Sequence, residues 1–292
     1  MRSGRWNEKL CGYAIQRQRI ECRHMRNTIL PLRSFLFAPG NHPRRVANAL
    51  SLNVDAVILD LEDAVATTEK PAARGAVAAA LAVPRQPLLY VRVNAADTEF
   101  CYGDLVAVVR PGLDGIVLPK VESAIALATI DWLLAQLERE QGLVPGGIDL
   151  IPIIETAAGL TNLDVILAAG TRVRHIAFGA GDFTLDVNMA WSRTEAELAF
   201  ARARIATASR AAGIEAPLDT VWVDLADEKG LEMSAHTALG FEPANTPQCP
   251  ECSGNPRLLC RGTSSSNPSP SSSESDELPE GLGSCIQVFV SV

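Results

Sequence analysis

Between Leu32 and Phe241, short apolar runs alternate with stretches of roughly ten to twenty residues that carry helical periodicity. This rhythm constrains the chain more than any other feature, because it is the pattern of repeated βαβ units. Strands are predicted at Ser34 to Ala38, Ala56 to Leu61, Leu88 to Val93, Gly115 to Pro119, Leu150 to Ile154, His175 to Gly179 and Thr220 to Val223. The runs are nearly continuous in their hydrophobicity, which marks parallel strands covered on both faces. Seven units suggest eight, so the predicted fold is α/β: a TIM (β/α)8-type barrel lacking its regular eighth strand and C-terminal helices. A doubly wound sheet is the rival that pattern alone leaves standing. The sixth helix carries its own punctuation, with Thr194 and Glu197 spaced as a capping box and Gly213 as its stop. Ala199, Ala203, Ile205 and Ala206 give that helix a small apolar face for packing on a barrel.

Composition bounds the rest. With 292 residues, 47% of them hydrophobic, the chain can bury a core, and a net charge of -8 argues against nucleic acid or an anionic membrane as partner. No apolar run approaches the ~20 residues that span a bilayer, so a protein free of the membrane and a small-molecule substrate are expected. Cys101 is the only cysteine between residues 23 and 248, which fits a reducing cytosol, and a cytoplasmic location is expected. Cys249 and Cys252 have the spacing of half a zinc site, but no second pair follows. Residues 1–31 are Arg-rich and aperiodic, with Met25 as a natural alternative start, and are expected to be a disordered extension. Residues 32–241 form the predicted barrel domain. Residues 242–292 are dominated by Pro, Ser, Asn, Gly and Glu, a change of composition as abrupt as a change of reading frame would give. Only Ile286 to Val290 in that tail reads as a strand, the candidate for the missing eighth.

In a parallel barrel, catalytic groups sit just past the C-terminal ends of the strands. Here those positions read Pro39-Gly40-Asn41, Asp60-Leu61-Glu62-Asp63, Arg92-Val93-Asn94, Lys120-Val121-Glu122, Glu155-Thr156 and Gly179-Ala180-Gly181-Asp182. A single acid there is commonly a helix cap. Six successive polar ends converge on one mouth, and their excess of carboxylates calls for a cation. Glu155 and Asp182 are the natural metal pair: two hard oxygen ligands that leave octahedral positions for water and substrate, which favours Mg²⁺ over zinc. Gly179-Ala180-Gly181 is no dinucleotide fingerprint, since the third glycine is absent and an acid ends the turn. Of the histidines, His24 lies in the N-terminal extension and His42, His175 and His236 show no ligand spacing, so none is assigned to a metal.

Taken together, Gly40-Asn41, Leu59 to Val65, Val91 to Asn94, Leu118 to Glu122, Ile154 to Thr156 and Phe178 to Asp186 resemble the citrate lyase beta subunit-like proteins of the HpcH/HpaI aldolase group in order and spacing, over about Leu32 to Phe241. The resemblance implies a TIM barrel, Mg²⁺, a homo-oligomer, and cleavage of a 3-hydroxyacyl-CoA such as citryl-, malyl- or citramalyl-CoA into an acyl-CoA and a 2-oxo acid. Glu155 and Asp182 match the family's metal ligands, and Arg92 matches the arginine that contacts substrate oxygens. Glu62 and Asp63 are expected to orient Arg92 or metal-bound waters, and Lys120 to complete a network with Glu122. Gly40 and Asn41, at the start of a helix near Pro43 with Arg44 and Arg45, are expected to face a CoA phosphate, Asn41 also serving as a helix cap. With Arg92 and Glu155 they form the expected substrate-binding set.

The resemblance stops at Phe241. Relatives continue with a Gly-Lys and Ile-His-Pro type segment forming strand 8 and with helices that close the site. Some also take a catalytic aspartate from that part of a neighbouring subunit, so no general base is assigned. Two other readings follow: a non-catalytic truncated homologue or binding subunit, and an HpcH-type aldolase acting on free 2-oxo acids.

Overall fold

In a computed structural model of the protein, the first six apolar runs form strands that pair in parallel in their order along the chain. The structure describes residues 32, 34–224 and 226–240, and the backbone of residues 288–290. Every element described belongs to the unit Arg33–Val292. The strands are β1 (Ser34–Pro39), β2 (Ala56–Asp60), β3 (Leu88–Arg92), β4 (Gly115–Leu118), β5 (Asp149–Ile154) and β6 (Ala177–Phe178). Between them run α1 (Pro43–Ser51), α2 (Lys70–Ala80), α3 (Cys101–Val108), α4 (Ala124–Glu140), and the short pair α5 (Ala157–Thr161) and α6 (Leu163–Leu167). After β6 come α7 (Ala180–Asp186), α8 (Ala199–Ala212) and α9 (Glu228–Leu239).

Parallel strands laid down consecutively, with right-handed crossovers, put every connecting helix on the same face of the sheet. Alternate strand residues record this. Leu36, Ala38, Val57, Leu59, Leu89, Val91, Ile116 and Leu118 join Val46, Val77, Leu105 and Leu127 of the helices in one apolar cluster. Their neighbours Phe35, Phe37, Ile58, Tyr90, Val117 and Ile151 are equally buried but face the other way. A helix-free face this apolar is buried when the sheet curls on itself. Laid flat, β1 and β6 would stand roughly 24 Å apart, at about 4.8 Å per strand. Yet the rings of Phe35 in β1 and His175, just before β6, are 6.3 Å apart, with Tyr90 of β3 5.5 Å from Phe35. The six strands therefore form a half-barrel, with its floor closed at their N-terminal ends.

The seventh predicted strand does not form. The chain touches β6 only through one parallel bridge, Ala177 to Leu218. Beyond it, buried Asp219 turns to Arg202 and the Thr220 hydroxyl accepts from the Ala180 N–H (3.0 Å), so side chains hold the segment where a ladder was expected. Of the candidate eighth strand, β7 (Val288–Val290) pairs with Ser34 to Leu36, but antiparallel. A free strand edge accepts a partner in either direction. The remainder of the tail, with its cysteines, and residues 1–31 lie outside the described residues.

Gly213 ends α8 in the left-handed conformation (φ 69°), as predicted, but the capping box does not form at Thr194. Glu197 accepts instead from the Ser192 N–H and hydroxyl. Glu195, at φ 51°, and the 3-10 turn Ala196–Leu198 delay the helix past the register the box needs. Among the described residues, no helix is long and apolar enough to cross a membrane.

Candidate active site

The mouth of the half-barrel is built from the last residue of each strand and the turn that follows. Register pairs Asp60 of β2 with Arg92 of β3. Arg92 donates through Nε to Asp60 Oδ1 (2.7 Å) and through Nη2 to Oδ2 (2.6 Å), a two-pronged contact between buried groups. Its third nitrogen, Nη1, is 3.2 Å from Glu62 Oε2 and 3.5 Å from Asp63 Oδ2, and the Phe37 ring lies against the guanidinium. Burial pushes the Asp60 carboxyl up, but the Arg92 charge and hydrogen bonds, with the N–H groups of Glu62 and Ala64, hold it below the usual carboxylate range. Burial disfavours the Arg92 cation, and Asp60, Glu62 and Asp63 outweigh that. The group that orients Arg92 is thus chiefly Asp60; Glu62 and Asp63, expected in that role, add longer contacts.

Lys120 follows β4 in the left-handed conformation, with φ 52°. Its main-chain N–H donates to Glu155 Oε1 (2.7 Å), while its ammonium donates to Glu62 Oε1 (2.5 Å) and lies 3.1 Å from Asp182 Oδ2 and 3.9 Å from Asp63 Oδ1. The ammonium pairs with Glu62 and Asp182 rather than with the expected partner Glu122. Glu155 closes β5, because Thr156 caps α5 through the Gly159 N–H (3.0 Å) and ends the strand there. Gly179 backs it closely, since a β-carbon at 179 would lie 2.4 Å from Glu155 Oε2. Asp182 stands in the first turn of α7, where the helix dipole favours an anion. Burial pushes the Glu155 carboxyl up to about 8, with the Arg92 charge opposing and the Asp182 charge adding to the rise. Glu62 is also raised, by burial first, against the pull of Arg92 and Lys120.

Behind this layer lie groups the sequence did not single out. The buried Lys70 ammonium donates to the carbonyls of Leu61 (3.0 Å) and Glu62 (2.6 Å) and to Asn94 Oδ1 (2.6 Å). Asn94 donates in turn to Leu61 O (3.0 Å) and Asp104 Oδ2 (2.6 Å), and Arg74 Nε binds Asp104 Oδ1 (2.8 Å). The only sequence signal was Lys70 and Arg74 one turn apart on one face of α2. This network fixes the turn that carries Glu62 and Asp63.

Asn41 does not cap α1; its amide donates to Glu69 Oε2 (2.6 Å), and the N-cap residue is His42, without a side-chain cap. Gly40 is buried, and a β-carbon there would meet Val77 Cγ2 at 2.6 Å and Asp60 O at 2.8 Å, so packing demands the glycine. His175 lies on the floor beside Asp149 (3.7 Å) and Glu215 (3.8 Å), far from these groups. A cavity lined by Phe178, Arg202, Ile205, Leu218 and Asp219 lies on the helix side of β6 and belongs to packing.

Among the described residues, no group of three or more His, Cys, Asp or Glu side chains converges in ligating geometry. Glu155 and Asp182 offer two carboxylates. Among the described residues, Asp60, Glu62, Asp63, Glu155 and Asp182 are linked to the cations Arg92 and Lys120, and Glu62 Oε2 is buried without an aligned hydrogen-bond donor. A divalent cation that takes few protein oxygens and keeps its waters fits this excess of negative charge, and that is the behaviour of Mg²⁺.

The family described as HpcH/HpaI aldolase/citrate lyase matches residues 33–244. Citrate lyase subunit beta of Escherichia coli (strain K12) is 41% identical over 214 residues, which cover 72% of this chain and 70% of that protein. The L-malyl-CoA/beta-methylmalyl-CoA lyase of Rhodobacter capsulatus is 32% identical over 225 residues, covering 68% and 69%. Among solved structures, the citrate lyase beta subunit of M. tuberculosis complexed with oxaloacetate and magnesium has 32% identity and a TM-score of 0.58, covering 70% of this chain and 86% of that one.

Proposed function

The chain belongs to the HpcH/HpaI aldolase/citrate lyase family, and on that premise we propose that it is a Mg²⁺-dependent lyase that cleaves a 3-hydroxyacyl-CoA of the citryl-, malyl- or citramalyl-CoA type into an acyl-CoA and a 2-oxo acid. The observation that carries this reading is a guanidinium, fixed by Asp60, set in the same mouth as the Glu155 and Asp182 carboxylates. In the cleavage, the substrate hydroxyl loses its proton and becomes the carbonyl of the 2-oxo acid. The electron pair of the broken carbon–carbon bond passes to the α-carbon of the thioester, as an enolate that a proton then quenches.

Glu155 and Asp182 would hold the metal, which when bound supplies Lewis-acid stabilisation of the oxygens of the 2-oxo acid. Arg92 uses Nε and Nη2 on Asp60, so Nη1, with its looser contacts, is the donor left for a substrate oxygen. A donor already fixed before charge develops is worth most in a site with little water. Glu62 and Asp63 lie against Nη1 and hold that edge of the guanidinium in the mouth. The turn at Gly40 and Asn41, with exposed Arg44 and the uncapped N–H groups of α1, is the place we assign to a CoA phosphate. The wider reading is a TIM-type barrel domain over residues 32–241, flanked by extensions at 1–31 and 242–292, acting as a cytosolic homo-oligomer.

The test is to offer the full chain citryl-, malyl- and citramalyl-CoA beside free 4-hydroxy-2-oxo acids. Cleavage confined to a thioester supports the proposal, and cleavage of the free acids alone would make the protein an aldolase of free 2-oxo acids. Lys70→Met provides a further test, because it removes the cation that pins the Leu61 and Glu62 carbonyls. Misplacing catalytic groups by about 1 Å can cost up to about a hundredfold in rate, and a kcat loss of that order is expected at an unchanged KM. Full turnover in a folded Lys70→Met variant would show that the turn is held without it.

A further inference from the structure

Lys120 grips both candidate metal ligands, and the two grips differ in kind. Glu155 is held by the main-chain N–H (2.7 Å), which cannot leave without moving the backbone, whereas Asp182 is held by the ammonium (3.1 Å) at the end of a flexible side chain. We propose that the Lys120 ammonium is a built-in competitor for the divalent cation: it neutralises Asp182 while the metal is absent and swings off it when the metal binds. This rests on the reading of Glu155 and Asp182 as the metal pair.

Three observations carry the proposal. The first is mobility. Of the two cations in the mouth, the Arg92 side chain is 11% exposed and clamped two-pronged to Asp60, while the Lys120 side chain is 38% exposed and has room to turn. The second is a resting place, since the same ammonium already touches Glu62 Oε1 (2.5 Å) and has Asp63 Oδ1 at 3.9 Å, so leaving Asp182 does not strand it. The third is geometry. A non-glycine residue at φ 52° is uncommon, and at this position the residue serves Glu155 with its backbone and Asp182 with its side chain. An ammonium and a metal drawn to one carboxylate repel each other and divide its charge, so each weakens the other's hold on Asp182. Lys120 is on this account a positioning residue: it balances the Asp182 charge before the metal arrives.

The experiment is Mg²⁺ titration of the full chain by calorimetry, without substrate, in wild type, Lys120→Gln and Lys120→Arg. Removing the competing charge is expected to tighten Mg²⁺ binding about tenfold in Lys120→Gln, whereas Lys120→Arg, which keeps the charge, should bind no tighter than wild type. Equal or weaker binding in a folded Lys120→Gln variant overturns the competitor role while leaving the metal pair intact. If wild type and Lys120→Gln both take up no Mg²⁺, the metal reading fails and this inference with it. Should Lys120→Gln not fold, the wild-type chain decides. It has four lysines, so side-chain ¹³C signals of labelled lysine are few enough to follow, with Lys120→Arg identifying the one to watch. That signal should move as Mg²⁺ saturates, and a signal that stays still overturns the proposal.

Discussion

Replacing Arg92 by lysine is expected to lower kcat/KM by about 2–4 kcal/mol of transition-state stabilisation, the scale seen when a fixed donor to a developing oxyanion is removed. The structure makes the reason specific. Arg92 spends two nitrogens on Asp60 and keeps the third for the mouth, so orientation and reaction are served by different edges of one planar group. An ammonium is a point charge, and pairing with Asp60 would leave it no fixed donor aimed at substrate. Since Asp60 keeps a cationic neighbour, thermal unfolding should shift far less than turnover does. Near-normal kcat/KM in Arg92→Lys would show that the arginine serves the fold alone.

The second large effect is expected at the carboxylate pair. Glu155→Gln and Asp182→Asn each remove one anionic ligand and keep the side-chain shape, and each should weaken Mg²⁺ binding by tenfold or more, about 1.4 kcal/mol, and abolish turnover. Glu155→Gln should also leave the fold at least as stable, because burial already disfavours the Glu155 anion. Asp182→Asn acts in two ways, since it removes a ligand and also releases the ammonium that lies on it. Calorimetric titration of both variants reads the outcome. Unchanged metal affinity in both would end the assignment.

Much of this was legible in the sequence because parallel strands announce themselves locally. Each of the first six apolar runs lies where a strand forms. The seventh, expected at Thr220 to Val223, failed because Thr220 and the preceding Asp219 find partners in the start of α7 and in Arg202. Of the site, Arg92, Lys120, Glu155 and Asp182 were named from their strand ends, and the ion pairs and pKa shifts do link them. Who holds whom was not legible. Asp60 meets Arg92 through the register of β2 against β3, which spacing along the chain does not reveal. Asn41 looked like a local cap, yet a carboxylate at Glu69 takes its amide. Lys70 reads as an ordinary surface lysine until the Leu61 and Glu62 carbonyls and Asn94 close around it.

The most direct test of the account follows a 3-hydroxyacyl-CoA labelled with ¹³C on both sides of the bond to be broken, incubated with the full chain and observed by NMR. Acyl-CoA and 2-oxo acid are expected in equal amounts from at least one of citryl-, malyl- and citramalyl-CoA, both dependent on added Mg²⁺ and both stopped by excess chelator. Thioester hydrolysis that leaves the labelled carbon–carbon bond intact, or cleavage indifferent to chelation, would contradict the account.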